Sequence, residues 1–247
     1  MDFQLLTILV AAFFAAGFVK GIVGMGLPTV SLVLLCIIFD ISAAMALLLA
    51  PSLLTNLWQT YGSSNVFQLF KRLWPLYSCS AVTVALGVYG FTFLEAVYAE
   101  QLLGFVLTIY ATLSIFGLRL TVQEQQTSLF AGVAGVFTGI LTGLTGSFVV
   151  PSIMFLQAIR LSVAEFIQAT GLLFSLLTLS LGFSLYIAER LTIEISTLSL
   201  AGVIPAFIGM FFGYQIRTRL KVEKFRLLLN ICLLVMGIKL LVAPLIT

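Results

Sequence analysis

The chain has 247 residues, of which 61% are hydrophobic and 9% are charged, and its mean hydropathy is +1.20. Because soluble domains carry about 25% charged residues, this composition predicts an integral membrane protein in contact with a lipid bilayer. The net charge of +3 includes no dense basic run, which argues against a nucleic-acid partner. The chain has no histidine, so the usual base of an intramembrane serine protease and the usual ligands of a membrane metalloprotease are missing. We therefore expect no enzyme activity, no cofactor and no metal site.

Eight apolar units follow one another along the chain and predict an all-α fold. They cover about residues 3–39, 41–60, 73–94, 101–118, 128–159, 163–187, 196–215 and 227–246. A helix that crosses a bilayer needs about 20 residues, so the first and fifth units are too long for one straight span and short for two. Each of these two units contains a glycine-rich patch, which predicts a break in the helix. We call them the first and second broken units.

The two halves of the chain resemble each other weakly. The matches, at offsets of 118, 120 and 122 residues, pair Ala16 with Ala134, Ser42 with Ser162 and Gly87 with Gly209. They predict tandem repeats at residues 1–120 and 121–247, each with one broken unit followed by three transmembrane helices, within one domain. Paired broken units in corresponding places of two repeats are typical of the binding site of a transporter.

The basic residues indicate how the broken units lie in the membrane, because cytoplasmic loops collect Lys and Arg. If all eight units cross, four basic residues fall on one side and six on the other, which favours no orientation. If both broken units instead turn back at their glycines, nine basic residues share one side and Arg190 is alone on the other. The nine are Lys71, Arg72, Arg119, Arg160, Arg217, Arg219, Lys221, Lys224 and Arg226. We therefore favour re-entrant hairpins, inverted repeats and both termini outside the cytoplasm, with broken but spanning helices as the alternative.

A new half-helix is expected to begin after each glycine patch, with free N–H groups and a positive dipole end that suit an anion. Pro28 suits the first turn of one half-helix, and Ser147 is expected to cap the other. Half-helices of about 11 to 17 residues would bring both glycine tips near the middle of the bilayer. Lys20 strengthens this interpretation, because an intramembrane charge usually faces a cavity on a substrate path. The alternative is that Lys20 reaches out to the membrane surface.

The candidate substrate-binding residues are this lysine, the glycines of the two patches and nearby polar side chains. They are Lys20, Gly24, Gly26, Asn56, Thr142, Gly143, Thr145, Gly146, Ser147 and Gln168. Glycine lets a backbone approach a ligand closely, and amide and hydroxyl groups donate to anion oxygens. For the polar groups, hydrogen bonding between helices is the alternative. Close helix packing is the role that we favour for four further glycines, Gly17, Gly21, Gly135 and Gly139.

The chain resembles the sulfite exporter TauE/SafE family, also called the toluene sulfonate uptake permease family. The resemblance rests on AGFVKGIVGMGLPTVSLVLL from Ala16 and on its echo AGVFTGILTGLTGSFVVPSIMFL from Ala134. The following segments, ISAAMALLLAPSLLTN and LSVAEFIQATGLLFSLLT, are also similar to that family, and together they cover both repeats. The chain departs from the family at Lys20, where a small or neutral residue is expected. A second departure is that the glycine run at Gly24 is shorter.

The resemblance implies a protein that transports small sulfur-containing anions, such as sulfite, sulfoacetate or other sulfonates, across a bacterial inner membrane. The leading hypothesis is a secondary transporter that works by alternating access and holds the anion between the glycine breaks. A passive anion channel and a non-transporting membrane scaffold are the alternatives. Arg217 to Arg226 are interpreted as a cytoplasmic topology anchor. The particular anion, the direction, the coupling ion and the formation of a homo-oligomer stay open.

Overall fold

The computed structural model describes residues 3–61, 66–117, 121–159, 161–217, 219 and 222–246. These residues form twelve α-helices and one 3-10 helix, with no β-strand among them, which confirms the predicted all-α class. The helices are α1 Phe3–Val23, α2 Leu27–Leu35, α3 Ile41–Leu47, α4 Leu49–Tyr61, α5 Val66–Phe91, α6 Ala96–Ile115, the 3-10 helix Glu124–Gln126, α7 Thr127–Thr145, α8 Ser152–Ala158, α9 Val163–Ile187, α10 Ile193–Ala201, α11 Val203–Arg217 and α12 Val222–Ile246. Arg119, Arg160 and Lys221, which contributed to the predicted orientation, lie outside the described residues.

Several of these helices are suited to cross a membrane. Seven stretches are long and apolar enough: Leu5–Val23, Val66–Phe91, Ala96–Ile115, Thr127–Thr145, Val163–Ile187, Ile193–Arg217 and Glu223–Val242. An eighth candidate is the pair of α3 and α4, which bend by 41° where they meet. Large apolar side chains such as Phe105, Phe183 and Ile204 are exposed on the outside, where lipid is the environment that suits them. The chain is therefore a multi-pass membrane protein.

The predicted helix boundaries are most accurate where a local signal starts the helix. α9 covers the residues predicted for the sixth unit, because Ser162 and Glu165 form a capping box at its start. The third unit begins earlier than predicted, since α5 starts at Val66 and bends at Leu73, where φ is −115°. Pro75 accounts for this bend, because proline has no N–H and its ring crowds the preceding turn.

Both broken units break near their glycine patches, but not into equal halves. The first divides into α1 with 21 residues and α2 with nine, and the second into α7 with 19 and α8 with seven. The prediction that the half-helices have about 11 to 17 residues was therefore wrong. Gly17 and Gly21 do not end α1, because α11 packs against them and stabilises the helix. α1 and α7 are each long and apolar enough to cross a membrane, so each glycine patch lies at the end of a long helix and is followed by a short one.

The first helix of each predicted repeat packs against a helix from the other half of the chain. α1 packs against α11, and α7 packs against α5. A Cβ atom on Gly17 would lie 2.1 Å from the carbonyl oxygen of Ala206, and one on Gly135 would lie 2.6 Å from that of Leu76. Gly21 meets α11 and Gly139 meets α5 just as closely, which confirms the predicted packing role of all four glycines. Residue numbers increase together along both contacts, so each pair is parallel.

Helices in corresponding positions of the two predicted repeats pair with each other in the antiparallel direction. Between α4 and α9, Nε2 of Gln59 donates to the carbonyl oxygen of Ile167 at 2.6 Å, while the earlier Leu49 lies beside the later Gly182. α6 and α12 show the same arrangement. There Nδ2 of Asn230 donates to Oγ of Ser114 at 2.7 Å, and the earlier Gly104 meets the later Gly237.

Both ends of the second broken unit lie at one face of the molecule. The N–H of Val122, before α7, donates to the carbonyl oxygen of Ala158, at the end of α8, at 3.4 Å. The ends of α1, α6 and α11 and the starts of α9 and α12 meet around a cavity at this face. We call it the Arg217 face. The end of α9 and the start of α10, on either side of Arg190, define the opposite Arg190 face.

Candidate functional site

The first break is a left-handed turn between α1 and α2. Gly24 and Gly26 have φ values of 87° and 104°, a region that strains any residue with a Cβ atom. The N–H of Gly24 donates to the carbonyl oxygen of Lys20 at 2.7 Å and closes the last turn of α1. Gly26 is the N-cap of α2, and Pro28 lies in its first turn as predicted. α2 therefore begins directly after the glycine patch.

The second break is longer and starts its helix later than predicted. Gly146, with a φ of 71°, ends α7, but α8 begins only after Pro151. The prediction that Ser147 caps α8 is wrong, because proline disfavours helical backbone in the residue before it. Oγ1 of Thr142 donates to the carbonyl oxygen of Ser147 at 2.9 Å, and the N–H of Ser147 donates to Oγ1 of Thr145 at 3.2 Å. Two predicted site residues thus hold the irregular segment in shape.

Lys20 is buried in the protein, with 2% of its surface exposed, which contradicts the alternative that it reaches the membrane surface. Its Nζ atom donates to Oγ1 of Thr55 at 3.1 Å and to Oδ1 of Asn56. Both partners are neutral, and no carboxylate in the described part of the chain lies within 4.0 Å of Nζ. Thr138, its counterpart in the second repeat, is neutral and accepts the N–H of Ser152 at 3.0 Å. An uncompensated ammonium is costly in such a place, so an anion would stabilise it.

Within the described part of the chain, four buried polar atoms around the breaks and on α4 have no hydrogen-bond partner. They are Oγ1 of Thr29, Oγ of Ser52, Nδ2 of Asn56 and Oγ of Ser147. Buried polar atoms in proteins are nearly always hydrogen-bonded, so such a group is available for a ligand. Ser52 and Asn56 lie one turn apart on α4, and Asn56 also contacts Lys20.

Two cavities lie between the breaks and the Arg217 face. The inner cavity has a volume of about 20 Å³ and is lined by Gly26 and Thr29, after the first break, and by Val149, after the second. The larger cavity, which we call the vestibule, has a volume of about 390 Å³. Its lining includes Val23, Tyr110, Ser114, Gln157, Arg217 and Arg226. Because Val23, Tyr110 and Arg226 also line the inner cavity, the two spaces are neighbours.

Other predicted site residues lie in helix contacts. A Cβ atom on Gly143 would lie 2.3 Å from the carbonyl oxygen of Val84, so this glycine packs against α5. Nε2 of Gln168 donates to the carbonyl oxygen of Thr60 at 3.3 Å, a hydrogen bond between α9 and α4. The structure thus brings Lys20 and Asn56 together and places Gly26 in the inner cavity, whereas Gly143 and Gln168 join neighbouring helices.

The polar lining on α6 and α12 was not predicted from the sequence. Tyr110 and Ser114 both line the vestibule from α6, and Nδ2 of Asn230 donates to Oγ of Ser114 at 2.7 Å. The sequence does contain a pattern that indicates this lining. Tyr110 and Ser114 lie one helical turn apart, and Asn230 lies one turn after Arg226. Arg217 and Arg226 were interpreted only as topology anchors, yet both line the vestibule.

A multi-pass helical bundle with two glycine-broken units and a buried cation is the architecture of a membrane transport protein. The family model of the sulfite exporter TauE/SafE matches residues 9–240, and the chain therefore belongs to that family. It is a family of membrane transporters for sulfite and related sulfur anions rather than of enzymes, which argues against the scaffold alternative. No curated protein and no solved structure gave a significant match.

Proposed function

We propose that this protein is a secondary transporter that moves small sulfur-containing anions, sulfite or organosulfonates, across the bacterial inner membrane. One observation carries the proposal: the segments that follow the two breaks line the same inner cavity. In transporters built from two repeats, the broken helices of both repeats usually form the substrate site. Membership of the TauE/SafE family supports a sulfur-containing anion as the substrate.

The proposed topology consists of two inverted repeats, each with one re-entrant broken unit, and of termini on the periplasmic side. The hydrogen bond between Val122 and Ala158 supports a hairpin in the second unit. The antiparallel pairing of corresponding helices supports the inversion, since helices related by an axis in the membrane plane run in opposite directions. Arg217 and Arg226 lie at one face and Arg190 at the other, so the Arg217 face is cytoplasmic by the positive-inside rule.

The proposed substrate site lies where the two post-break segments meet. Lys20 supplies a positive charge one turn before Gly24, and the Asn56 amide supplies a donor without a partner. Hydroxyl groups of Thr29 and Ser147 add two further donors for anion oxygens. We expect the left-handed backbone at Gly26 and Gly146 to keep these segments close to the bound anion.

The inner cavity must expand during transport. Its volume of about 20 Å³ holds about one water molecule, which is too little for sulfite or a sulfonate. The parallel pairs α1–α11 and α5–α7 each combine both repeats and are closely packed through glycines, so they suit rigid-body movement against each other. Such rocking would open the site to each side of the membrane in turn.

The proposal is tested by uptake of labelled sulfite and sulfoacetate into proteoliposomes, with chloride and acetate as comparison anions. Lys20→Met removes the buried charge at similar volume. We expect it to lower the uptake rate by about tenfold or more, because a hydrogen bond to a charged group contributes about 1.5–3 kcal/mol. Thr29→Val removes one donor without a change in shape, and we expect a loss of about twofold to tenfold.

Thr178→Val is the matched control for Thr29→Val. Both threonines are 2% exposed, but the Thr178 hydroxyl already donates to the carbonyl oxygen of Phe174 at 2.6 Å within its own helix. We expect the control to transport at the wild-type rate. If Lys20→Met and Thr29→Val also transport at that rate, the substrate site lies elsewhere, and if the wild type moves no sulfur anion, the proposed function is wrong.

A passive anion channel is the second candidate, and one observation favours it. Among the described residues the only fully buried charged side chain is Lys20, so no buried carboxylate is available as a proton relay. A pH gradient imposed across the proteoliposome membrane separates the two candidates. A coupled carrier accumulates labelled sulfite against its gradient, whereas a channel only equilibrates it.

A further inference from the structure

The vestibule carries two guanidinium groups, of which Arg226 also borders the inner cavity and Arg217 does not. Arg217 ends α11 and Arg226 lies in the first turns of α12, and both line the cavity together with α1, α6, α8 and α9. The vestibule is therefore built from both repeats, with its positive charge contributed by the second. Guanidinium forks match the geometry of sulfonate and other oxyanions, with two parallel donors for two oxygens.

Neutral polar groups complete the lining of the vestibule. Tyr110 and Ser114 lie one turn apart on α6, and Nδ2 of Asn230 on α12 donates to Oγ of Ser114 at 2.7 Å. The amide of Gln157 adds a donor from α8. The acidic side chain nearest the start of α9, Glu165, accepts the N–H of Ser162 at 2.8 Å in the capping box. A topology anchor explains why arginines lie at this face, but it does not explain why they share a cavity with hydroxyl and amide groups.

The vestibule differs from the inner cavity in volume. The inner cavity, at about 20 Å³, is too small for a sulfur oxyanion, whereas the vestibule, at about 390 Å³, has room for a small organosulfonate with some of its water. In this conformation an anion that comes from the Arg217 face can therefore reach the vestibule but not the space between the breaks.

We infer that the vestibule is a separate oxyanion-binding site, in which Arg217 and Arg226 hold the substrate anion before the inner cavity opens. The inference rests on the proposed function for the identity of the anion, a soluble sulfite or sulfonate. Tyr110 and Ser114 orient the bound anion, and their position beside the inner cavity defines the path inward. Under the proposed topology this site loads substrate from the cytoplasm.

The first experiment measures transport from each face separately, in right-side-out and inverted vesicles, with labelled sulfoacetate. In Arg217→Gln we expect the KM for loading at the Arg217 face to rise by about tenfold or more, since charged hydrogen bonds are lost. Vmax and the KM at the other face should stay within about twofold of wild type, because Arg217 lines the vestibule and not the inner cavity. Arg190→Gln, at the Arg190 face, is the matched control and should leave the KM at the Arg217 face unchanged. An unchanged KM in Arg217→Gln overturns the inference.

The second experiment needs no transport. Val163 is exposed and lines the vestibule, so Val163→Cys, in a chain whose three cysteines are replaced by alanine, places one thiol there. We expect an anionic thiol reagent to react faster than a cationic reagent of similar size, and sulfoacetate to slow the reaction. The Arg217→Gln and Arg226→Gln changes should weaken both effects strongly, because they remove the two positive charges that line the vestibule.

The outcomes of the two experiments distinguish the inference from the proposed function. Charge-selective labelling with sulfoacetate protection, but no transport by the wild type, supports the oxyanion site and rejects the transporter. A labelling rate that does not depend on the charge of the reagent overturns the inference even if transport occurs. An anionic lipid headgroup offers the same oxyanion chemistry, so labelling is repeated in nanodiscs with and without phosphatidylglycerol. Protection by that lipid and not by sulfoacetate would assign the vestibule to lipid and overturn the loading role.

Discussion

Single glycine residues have two distinct roles in this chain. Gly24, Gly26 and Gly146 have positive φ values and form the breaks, whereas helical glycines such as Gly17 and Gly21 let another backbone approach. Spacing by four residues within a helix predicted the second role correctly, because residues four apart share a helix face. Gly143 continues the same spacing after Gly135 and Gly139 and has the same surroundings, but it was grouped with the ligand-lining glycines because it also lies in the glycine patch.

The packing role predicts different effects of two alanine substitutions on stability. In Gly21→Ala the new Cβ atom would lie 2.2 Å from the carbonyl oxygen of Met210, so we expect the free energy of unfolding to fall by about 1–3 kcal/mol. Gly182→Ala is the control, because its nearest neighbour is a methyl group of Leu49 at 3.5 Å. Here we expect no loss, or a gain of up to about 1 kcal/mol from helix propensity. Unfolding in mixed detergent micelles measures both, and equal stability of the two variants would contradict the assignment.

At the scale of helices, the ends of each element depend on short signals that differ in strength. The capping box at Ser162 set the start of α9 where the sequence predicted it. In the second broken unit, Ser147 resembled a cap, but Pro151 delayed α8 by several residues. A local signal is decisive when the following residues can continue the helix. Proline is tolerated in the first positions, as Pro28 is in α2, but Pro151, four residues after Ser147, lacks the N–H that a helix capped by Ser147 would need.

The capping box gives a prediction for α9. In Ser162→Ala the N–H of Glu165 loses its partner at 3.2 Å, and we expect a loss of about 1 kcal/mol in stability. Hydrogen exchange at the first-turn amides of α9 should become faster, while exchange in α12 stays the same. Ser196→Ala is the control, because its hydroxyl bonds within α10 to the carbonyl oxygen of Thr192 and caps nothing. Unchanged exchange at the start of α9 would show that neighbouring helices, rather than the cap, hold it.

At the scale of the whole molecule, the helix pairs join the two halves of the chain. Parallel contacts join α1 to α11 and α7 to α5, and antiparallel contacts join α4 to α9 and α6 to α12. Neither half forms these contacts alone, so each depends on the other to bury its polar side chains. Gln59 and Asn230 illustrate this, since each has its hydrogen-bond partner in the opposite half.

The proposed hairpin in the second unit is tested by labelling single cysteines in a chain without its native ones. Gln123→Cys precedes α7, Gln157→Cys lies near the end of α8, and Glu194→Cys lies at the Arg190 face. In intact cells we expect an impermeant thiol reagent to label Glu194→Cys only. After the membrane is opened, Gln123→Cys and Gln157→Cys should react as well. Opposite accessibility of these last two would mean that the unit crosses the membrane.

The sequence by itself determined the membrane class, the all-α fold, the two glycine breaks and the family, because these depend on composition, periodicity and local motifs. It also pointed to Lys20 and Asn56, since charged and amide groups are conspicuous in apolar units. Only the tertiary structure decided that these two touch, that α1 and α7 continue to full length, and that Arg217 and Arg226 share a cavity with Tyr110. Those features arise from contacts between residues far apart in the chain, and the direction of a side chain across such a contact leaves no local pattern.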